Sequence, residues 1–208
     1  MIAYLEIGSM AQLTAILREH NTPIGGWGQG HRGTVKGLFD QIASGKTKLG
    51  IEDGRLKIET SYVLVALYHP TMPKGTWHIL IETRKEMPNG STRRFDRLMG
   101  LRKKIMDKET PLAAAERALR EEVPLAKPYK ICVLGSCPPE IDMMPRRYPG
   151  LIAVRKYKGI GALTLKPMYK RGHHKSPDAD GVVTYSVWRP VLQHLVPQEV
   201  RDLLAQPA

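Results

Sequence analysis

Residues 104–125 read KIMDKETPLAAAERALREEVPL, and the spacing of acids and apolar residues in this stretch decides how the rest of the chain is read. Thr110 suits a helix N-cap, where its hydroxyl accepts from a first-turn amide, and Pro111 takes the first helical position, where its missing N–H costs nothing. Leu112, Ala115, Leu119 and Val123 recur at near-helical spacing and are expected to form the buried stripe. Pro124 ends the helix. Positions 121 and 122 lie three and four residues beyond 118, so the three share a face. Glu121 and Glu122 place two carboxylates there, whereas position 118 supplies none because it is Ala118. Hard divalent cations take oxygen ligands, and one held by carboxylates neutralises a diphosphate and activates water beside it. The plainer reading is the exposed end of an amphipathic helix, with Glu116 and Arg120 as an ordinary i, i+4 pair.

The order of these residues resembles the box of the Nudix superfamily: Gly, five residues, Glu, seven residues, Arg-Glu, an apolar residue, any residue, Glu-Glu, any residue, Gly, an apolar residue. Glu109 takes the first Glu, and the required seven residues separate it from Arg117. Leu119 takes the apolar position, Glu121 and Glu122 the paired acids, and Leu125 the final apolar site. The departures are Lys103 for the leading Gly, Ala118 for the Glu after Arg117, and Pro124 for the late Gly. Lys104 and Ile105 stand where the family often has Lys and an apolar residue. The resemblance implies an α+β fold, a Nudix-like mixed sheet with flanking helices, over residues 56–208. Residues 1–55 are then an N-terminal extension of unassigned role. It further implies that Glu121 and Glu122 bind Mg2+ or Mn2+, that Glu109 supports the loop, and that Arg117 orients a glutamate or binds locally. A further carboxylate often joins from a later loop, for which Asp178 and Asp180 are the nearest candidates in sequence.

Outward from the box, the preceding sequence is strand-like. Leu49 and Ile51, a turn at Asp53 and Gly54, then Leu56 and Ile58 make a hairpin signature. Residues 62–68 form an apolar strand, 70–75 a loop, 77–83 an alternating strand, and Pro88, Asn89 and Gly90 turn the chain into a strand over 92–98. Further toward the N-terminus, 2–7 reads as a strand and 9–18 as a helix capped by Ser9, with another helix over 34–43. The stretch GGWGQGHRG at 25–33 contains a formal GxGxxG, yet Asn21, Thr22 and Pro23 precede it where a dinucleotide site needs a buried strand. Beyond the box, strands are expected at 130–134, 151–155 and 182–188, with a loop rich in Pro and basic residues between, and a closing helix at 197–205.

The 208 residues carry a formal net charge of +12, which favours polyanionic ligands through long-range attraction. The charge is uneven. No Asp or Glu occurs from Met143 to Pro177, where Arg146, Arg147, Arg155 and Lys156 begin a basic run, and a second run extends from Arg93 to Lys108. Arg94, Arg102 and Lys104 of that second run are the candidate phosphate ligands; the plainer alternative is solvated surface charge. No apolar run approaches the roughly 18 residues of a membrane span, so no membrane partner is expected, and a start without early Lys or Arg points to the cytoplasm. Cys132 and Cys137 fit no paired-cysteine zinc site and read as reduced thiols. His173 and His174 read as solvated, and Trp77 and Trp188 as core.

Two functions follow. The first is a metal-dependent pyrophosphohydrolase that adds water to a nucleoside diphosphate linked to another group, slowed by Ala118. The second is a non-catalytic Nudix-fold module that binds RNA or a nucleotide within a larger assembly. A third carboxylate beside Glu121 and Glu122 would favour the first; a flat patch ringed by lysines would favour the second. Neither the substrate base nor the oligomeric state is legible.

Overall fold

In chain order the elements are β1 (Ala3–Tyr4), α1 (Met10–Glu19), α2 (Val35–Ala43), β2 (Lys48–Glu52), β3 (Arg55–Thr71), β4 (Thr76–Glu86), β5 (Thr92–Arg94), β6 (Leu101–Lys104), α3 (Pro111–Glu122), β7 (Tyr129–Asp142), β8 (Ile152–Thr164), β9 (His173–Pro177), β10 (Val183–Leu192) and α4 (Gln198–Asp202). The fold is therefore α+β. The computed structural model describes residues 1–30, 32–71, 76–94, 100–123, 128–165, 173–177 and 181–206, with residues 71, 93 and 173–177 described by backbone only. No described helix is long and apolar enough to cross a membrane. The contacts divide the chain into two units, the first made of Met1–Tyr62, Lys104–Glu109 and Cys137–Tyr157, the second of Val63–Lys103, Thr110–Ser136 and Lys158–Ala208.

The first unit is built on two capped helices and a hairpin. Ser9 Oγ accepts from Gln12 N–H at 3.1 Å and Thr34 Oγ1 from Gly37 N–H at 2.9 Å, so each helix starts where its sequence places a hydroxyl. Leu13 and Leu17, one turn apart on α1, are completely buried, as is Leu38 on α2. They pack with Trp27, Leu49, Leu56, Ile58, Tyr148 and Leu151 into one core, where truncating a buried leucine to alanine would cost about 2–5 kcal/mol. The β2–β3 turn has Asp53 and Gly54 both at positive φ, 52° and 71°, which suits the right-handed twist of paired strands. The glycine-rich stretch serves packing: a Cβ on Gly33 would meet the Tyr148 ring at 2.2 Å. The indole N–H of Trp27 donates to the Pro149 carbonyl nearby, at 3.2 Å.

The second unit is a sheet with a helix at its core. β4 pairs antiparallel with the end of β3, with β5 and with β10, and β10 pairs with β9. Tyr68, Trp77 and Leu163 pack with Val196, Val200 and Leu203 from the C-terminal end of the chain, around α4. On α3, Thr110 Oγ1 accepts from Ala113 N–H at 3.2 Å, and Ala114, Ala115, Ala118 and Leu119 are completely buried. Small residues let this helix approach its neighbours closely.

Several expectations are corrected. Leu112 is 38% exposed and lies off the buried stripe, which runs through Ala114, Ala115, Ala118, Leu119 and Val123; the alanines carry the burial that hydrophobicity alone would assign to the leucine. The hairpin arm at 56–58 and the strand at 62–68 are one strand, β3, which extends through Pro70 and Thr71 into pairing with Trp77 and Thr76. β1 is shorter than the expected 2–7, β7 and β8 are much longer than 130–134 and 151–155, and β6 and β9 were not expected at all. Short alternation fails to mark strands whose exposed arms alternate between polar and small residues. α4 is also shorter than the expected 197–205. The expected loop at 72–75, the end of the strand at 95–98, Pro124, Leu125, Asp178 and Asp180 lie outside the described residues.

Candidate functional site

β4 brings an unexpected acid into the second unit. Side chains alternate along a strand, so Leu80 and Glu82 share one face while Trp77, Ile79 and Ile81 share the other. Trp77 and Ile79 go to the α4 core, and Glu82 is carried to the opposite side, where it is only 6% exposed. Beyond it the register with β10 shifts: Ser186 faces Glu82 but Tyr185 faces Arg84, so Thr83 is an extra residue. Such a bulge reverses the alternation. It explains how Lys85, three residues on and ordinarily on the far face, places Nζ 3.4 Å from Glu82 Oε1. Thr83 Oγ1 ties the bulge by donating to the Tyr185 carbonyl at 3.1 Å.

The C-terminal turn of α3 meets this acid. Glu121 and Glu122 stand at the helix end whose dipole disfavours negative charge, and β6 answers with a cation. Lys103 Nζ lies 2.6 Å from Glu121 Oε2 and 3.4 Å from Glu122 Oε1. Burial pulls the Lys103 ammonium toward a lower pKa, but the Glu121 hydrogen bond and the charges of both carboxylates outweigh it, and the net shift is upward. The Glu122 side chain is 7% exposed. Its Oε2 and Glu82 Oε1 are both buried with no hydrogen-bond partner.

Glu82 and Glu122 interact directly. Burial, first, pushes the Glu82 carboxyl up to about 7; Lys85 opposes this, while the charge of Glu122 and a hydrogen bond with it add to the rise. Two carboxyl groups hydrogen-bond only when one carries a proton. A proton on one of the two relieves the repulsion between Glu82 and Glu122.

The donor set suits magnesium or manganese in type, since all three acids offer hard carboxylate oxygens and two of those oxygens are buried and unpartnered. Among the described residues, no group of three His, Cys, Asp or Glu side chains is arranged to hold a metal ion, and Lys103 pairs with both Glu121 and Glu122. Ala118 is completely buried.

The other residues singled out in the sequence fall as follows. Glu109 closes its own loop in the first unit: its Oε2 accepts from Met106 N–H at 2.8 Å, and its N–H donates to the Met106 carbonyl at 3.1 Å. That loop, with Lys46, Lys48, Glu59 and Ser61, lines a polar cleft of about 210 Å³. Arg117 is half-buried on α3. Arg94 is exposed on β5, where its backbone faces Arg84 and that of Arg93 faces Lys85. The Arg84 guanidinium stacks 3.9 Å from the Tyr185 ring centroid. Arg102 is exposed on β6, whereas Lys104 donates to Gln41 Oε1 at 2.7 Å within the first unit. Part of the long basic run is paired: Arg155 bridges Glu140 and Asp142, and Lys156 binds Glu59. Cys132 and Cys137 are free thiols.

Sequence reasoning missed Glu82. The available signal was an acid in line with Leu80 inside an otherwise apolar strand, WHILIE, a position where a charge is rarely buried without a partner. No protein-family model matches the chain, and no curated protein matches it at a significant level.

Proposed function

We propose that this chain is a Nudix-type, metal-dependent pyrophosphohydrolase acting on a nucleoside diphosphate linked to another group. The observation that carries this reading is a third carboxylate: Glu82, buried with Lys85 at 3.4 Å, interacts with Glu122, the neighbour of Glu121 in sequence. Glu82, Glu121 and Glu122 are the residues that would hold Mg2+ or Mn2+. When bound there, the ion neutralises the diphosphate and lowers the pKa of attacking water. Lys85 and Lys103 keep the carboxylates oriented, and α3 holds Glu121 and Glu122 on a rigid element. Arg84, Arg94 and Arg102 draw the phosphates toward this unit. Glu82 substitutes in kind for the acid missing at Ala118, from a strand rather than from the helix. A ligand moved in this way costs several kcal/mol of transition-state stabilisation, so turnover is expected to be slow.

The test is release of nucleoside monophosphate from a panel of nucleotide diphosphate derivatives with Mg2+ or Mn2+. The expected result is metal-dependent turnover that falls at least 100-fold in Glu82→Gln, Glu121→Gln and Glu122→Gln. Absence of turnover across the panel, or turnover indifferent to all three substitutions, would reject the hydrolase.

A second reading, a non-catalytic Nudix-fold module that binds RNA or a nucleotide within a larger assembly, has its own support. Lys103 already pairs with Glu121 and Glu122. On the β4–β5 ladder, Arg84 faces Arg94, and like charges directly opposed favour an anion between them. RNA affinity that falls steeply with salt would support this reading, because the slope reports the number of phosphates neutralised.

A further inference from the structure

We infer that Arg84 and Arg94, on neighbouring strands of the second unit, form a binding site for the phosphate backbone of a single-stranded RNA. The inference rests on the RNA-binding reading, to which it gives a site, and is independent of the carboxylates on α3. It starts from register. Tyr185 of β10 lies opposite Arg84 of β4, and Arg84 lies opposite Arg94 of β5. The three therefore form one row across three strands, about 10 Å long at ~4.8 Å per strand. β9 extends the row with Lys175, whose backbone lies opposite that of Tyr185. Directly opposed residues project to the same face of a sheet. That face is the one away from Glu82. Tyr185 has the same parity along β10 as Val191, which packs on the α4 core, and the bulge at Thr83 brings Arg84 to that side.

Two independent observations point to an anion on this row. The first is that the opposed cations are unanswered. Among the described residues, neither Arg84 nor Arg94 forms an ion pair or donates a hydrogen bond. Glu86, two residues along the same face, instead accepts from the Tyr185 hydroxyl at 2.8 Å. Like charges directly opposite one another destabilise a sheet, and a phosphate between them converts the repulsion into two attractions. The second is that Arg84 is already oriented. Its guanidinium lies 3.9 Å from the Tyr185 ring centroid, and Glu86 anchors the hydroxyl of that ring. A guanidinium held on an aromatic ring keeps its N–H donors at the edge of a fixed plane, which suits bidentate recognition of phosphate oxygens. The occupant follows from shape and charge. Arg94 is exposed and the row runs across the strands, which suits an extended polyanion more than a small ligand that needs enclosure. The net charge of +12 adds long-range attraction for such a strand.

The experiment is fluorescence anisotropy of a short labelled single-stranded RNA with the full chain at several salt concentrations. Arg84→Gln and Arg94→Gln are each expected to weaken binding about 5-fold and to reduce the salt slope by about 0.7, the share of one phosphate contact. Arg120→Gln, which removes an exposed charge from α3, is expected to change affinity by less than about 2-fold. Equal losses in all three variants would overturn the row in favour of net charge alone. RNA binding by wild type that survives both row substitutions unchanged would overturn the row and leave the RNA-binding reading standing, whereas no binding by wild type would overturn both. Displacement of the RNA by equimolar inorganic pyrophosphate would overturn the strand in favour of a small anion. Urea denaturation without RNA supplies a second measurement, which holds even if Arg84→Gln fails to fold. Arg94→Gln relieves the opposed charges and is expected to raise the unfolding midpoint while weakening RNA binding; a midpoint that does not rise would overturn the inference.

Discussion

Two buried glutamates, one in each unit, have been given opposite surroundings. Glu59, on the first half of β3, has Lys156 Nζ 2.8 Å from its Oε2, an ion pair rather than a directed hydrogen bond. Tyr4 also serves it: burial, then the hydrogen bond and charge of Glu59, push the Tyr4 phenol up to about 12, so it stays a donor at every ordinary pH. Glu82, buried to the same degree on β4, has a more distant lysine and a second carboxylate as neighbours. An acid matched by a cation and a phenol is a structural element. An acid pressed against another acid is held at a cost in stability, and such costs concentrate where chemistry or ligand binding needs them.

The contrast can be broken most forcefully at Ala118. Adding a further acid to the crowded side, Ala118→Glu, is expected to destabilise the protein by about 4–5 kcal/mol, because the position is fully buried and the new charge would find no partner. Leu112→Glu, on the exposed side of the same helix, should stay within about 0.5 kcal/mol. Thermal melting of the two variants would check this, and equal losses would refute the helix orientation.

Next in size are the two lysines. Lys103→Met leaves the buried Glu122 and its neighbour without their cation and should cost about 3–4 kcal/mol in chelator-treated protein, measured by urea denaturation. Lys156→Met removes a side chain that is 53% exposed and should cost about 1 kcal/mol or less.

The pH dependence sharpens the comparison further. Glu82 is raised from 4.5 to about 7 in the folded protein, so the folded state holds a proton more tightly than the unfolded state. Its contribution to stability is complete below about pH 4.5 and is lost as pH rises through about 7. Chelator-treated wild type should therefore lose on the order of 2–3 kcal/mol between pH 5 and pH 8 from this group. Glu82→Gln should remove that slope, and a Gln variant that keeps it would reject Glu82 as its source.

The smallest effects carry opposite signs. At pH 8, Glu82→Gln should stabilise the protein by about 1 kcal/mol, since a charge held against Glu122 is removed, while Glu59→Gln should destabilise it by about 1 kcal/mol, since one paired with Lys156 and Tyr4 is lost. Denaturant midpoints at one pH, with and without chelator, would decide both.

Much of the local structure was legible because its causes are local. Ser9, Thr34 and Thr110 each cap the helix that their positions forecast, and Asp53 with Gly54 turns the hairpin where two left-handed residues were needed. Glu121 and Glu122 were identified from spacing on one helix, and they do sit together with a buried neighbour. What escaped the sequence was every feature made by residues distant along the chain. Lys103 stood out as a departure from a pattern, and its engagement of both acids depends on how β6 lies beside α3.

By itself, then, the sequence determined the helix starts, the hairpin turn, the α+β class and the pair of acids at the end of α3, because caps, turn residues and helical periodicity act within a few residues of chain. Only the tertiary structure decided that Ala118 is interior, that Leu112 is not, and that Glu82 is buried against Glu122. Those outcomes depend on which face an element presents to the rest of its unit. For Glu82 the bulge at Thr83 re-aims Lys85, and strand pairing with β10, more than a hundred residues away in sequence, fixes that bulge.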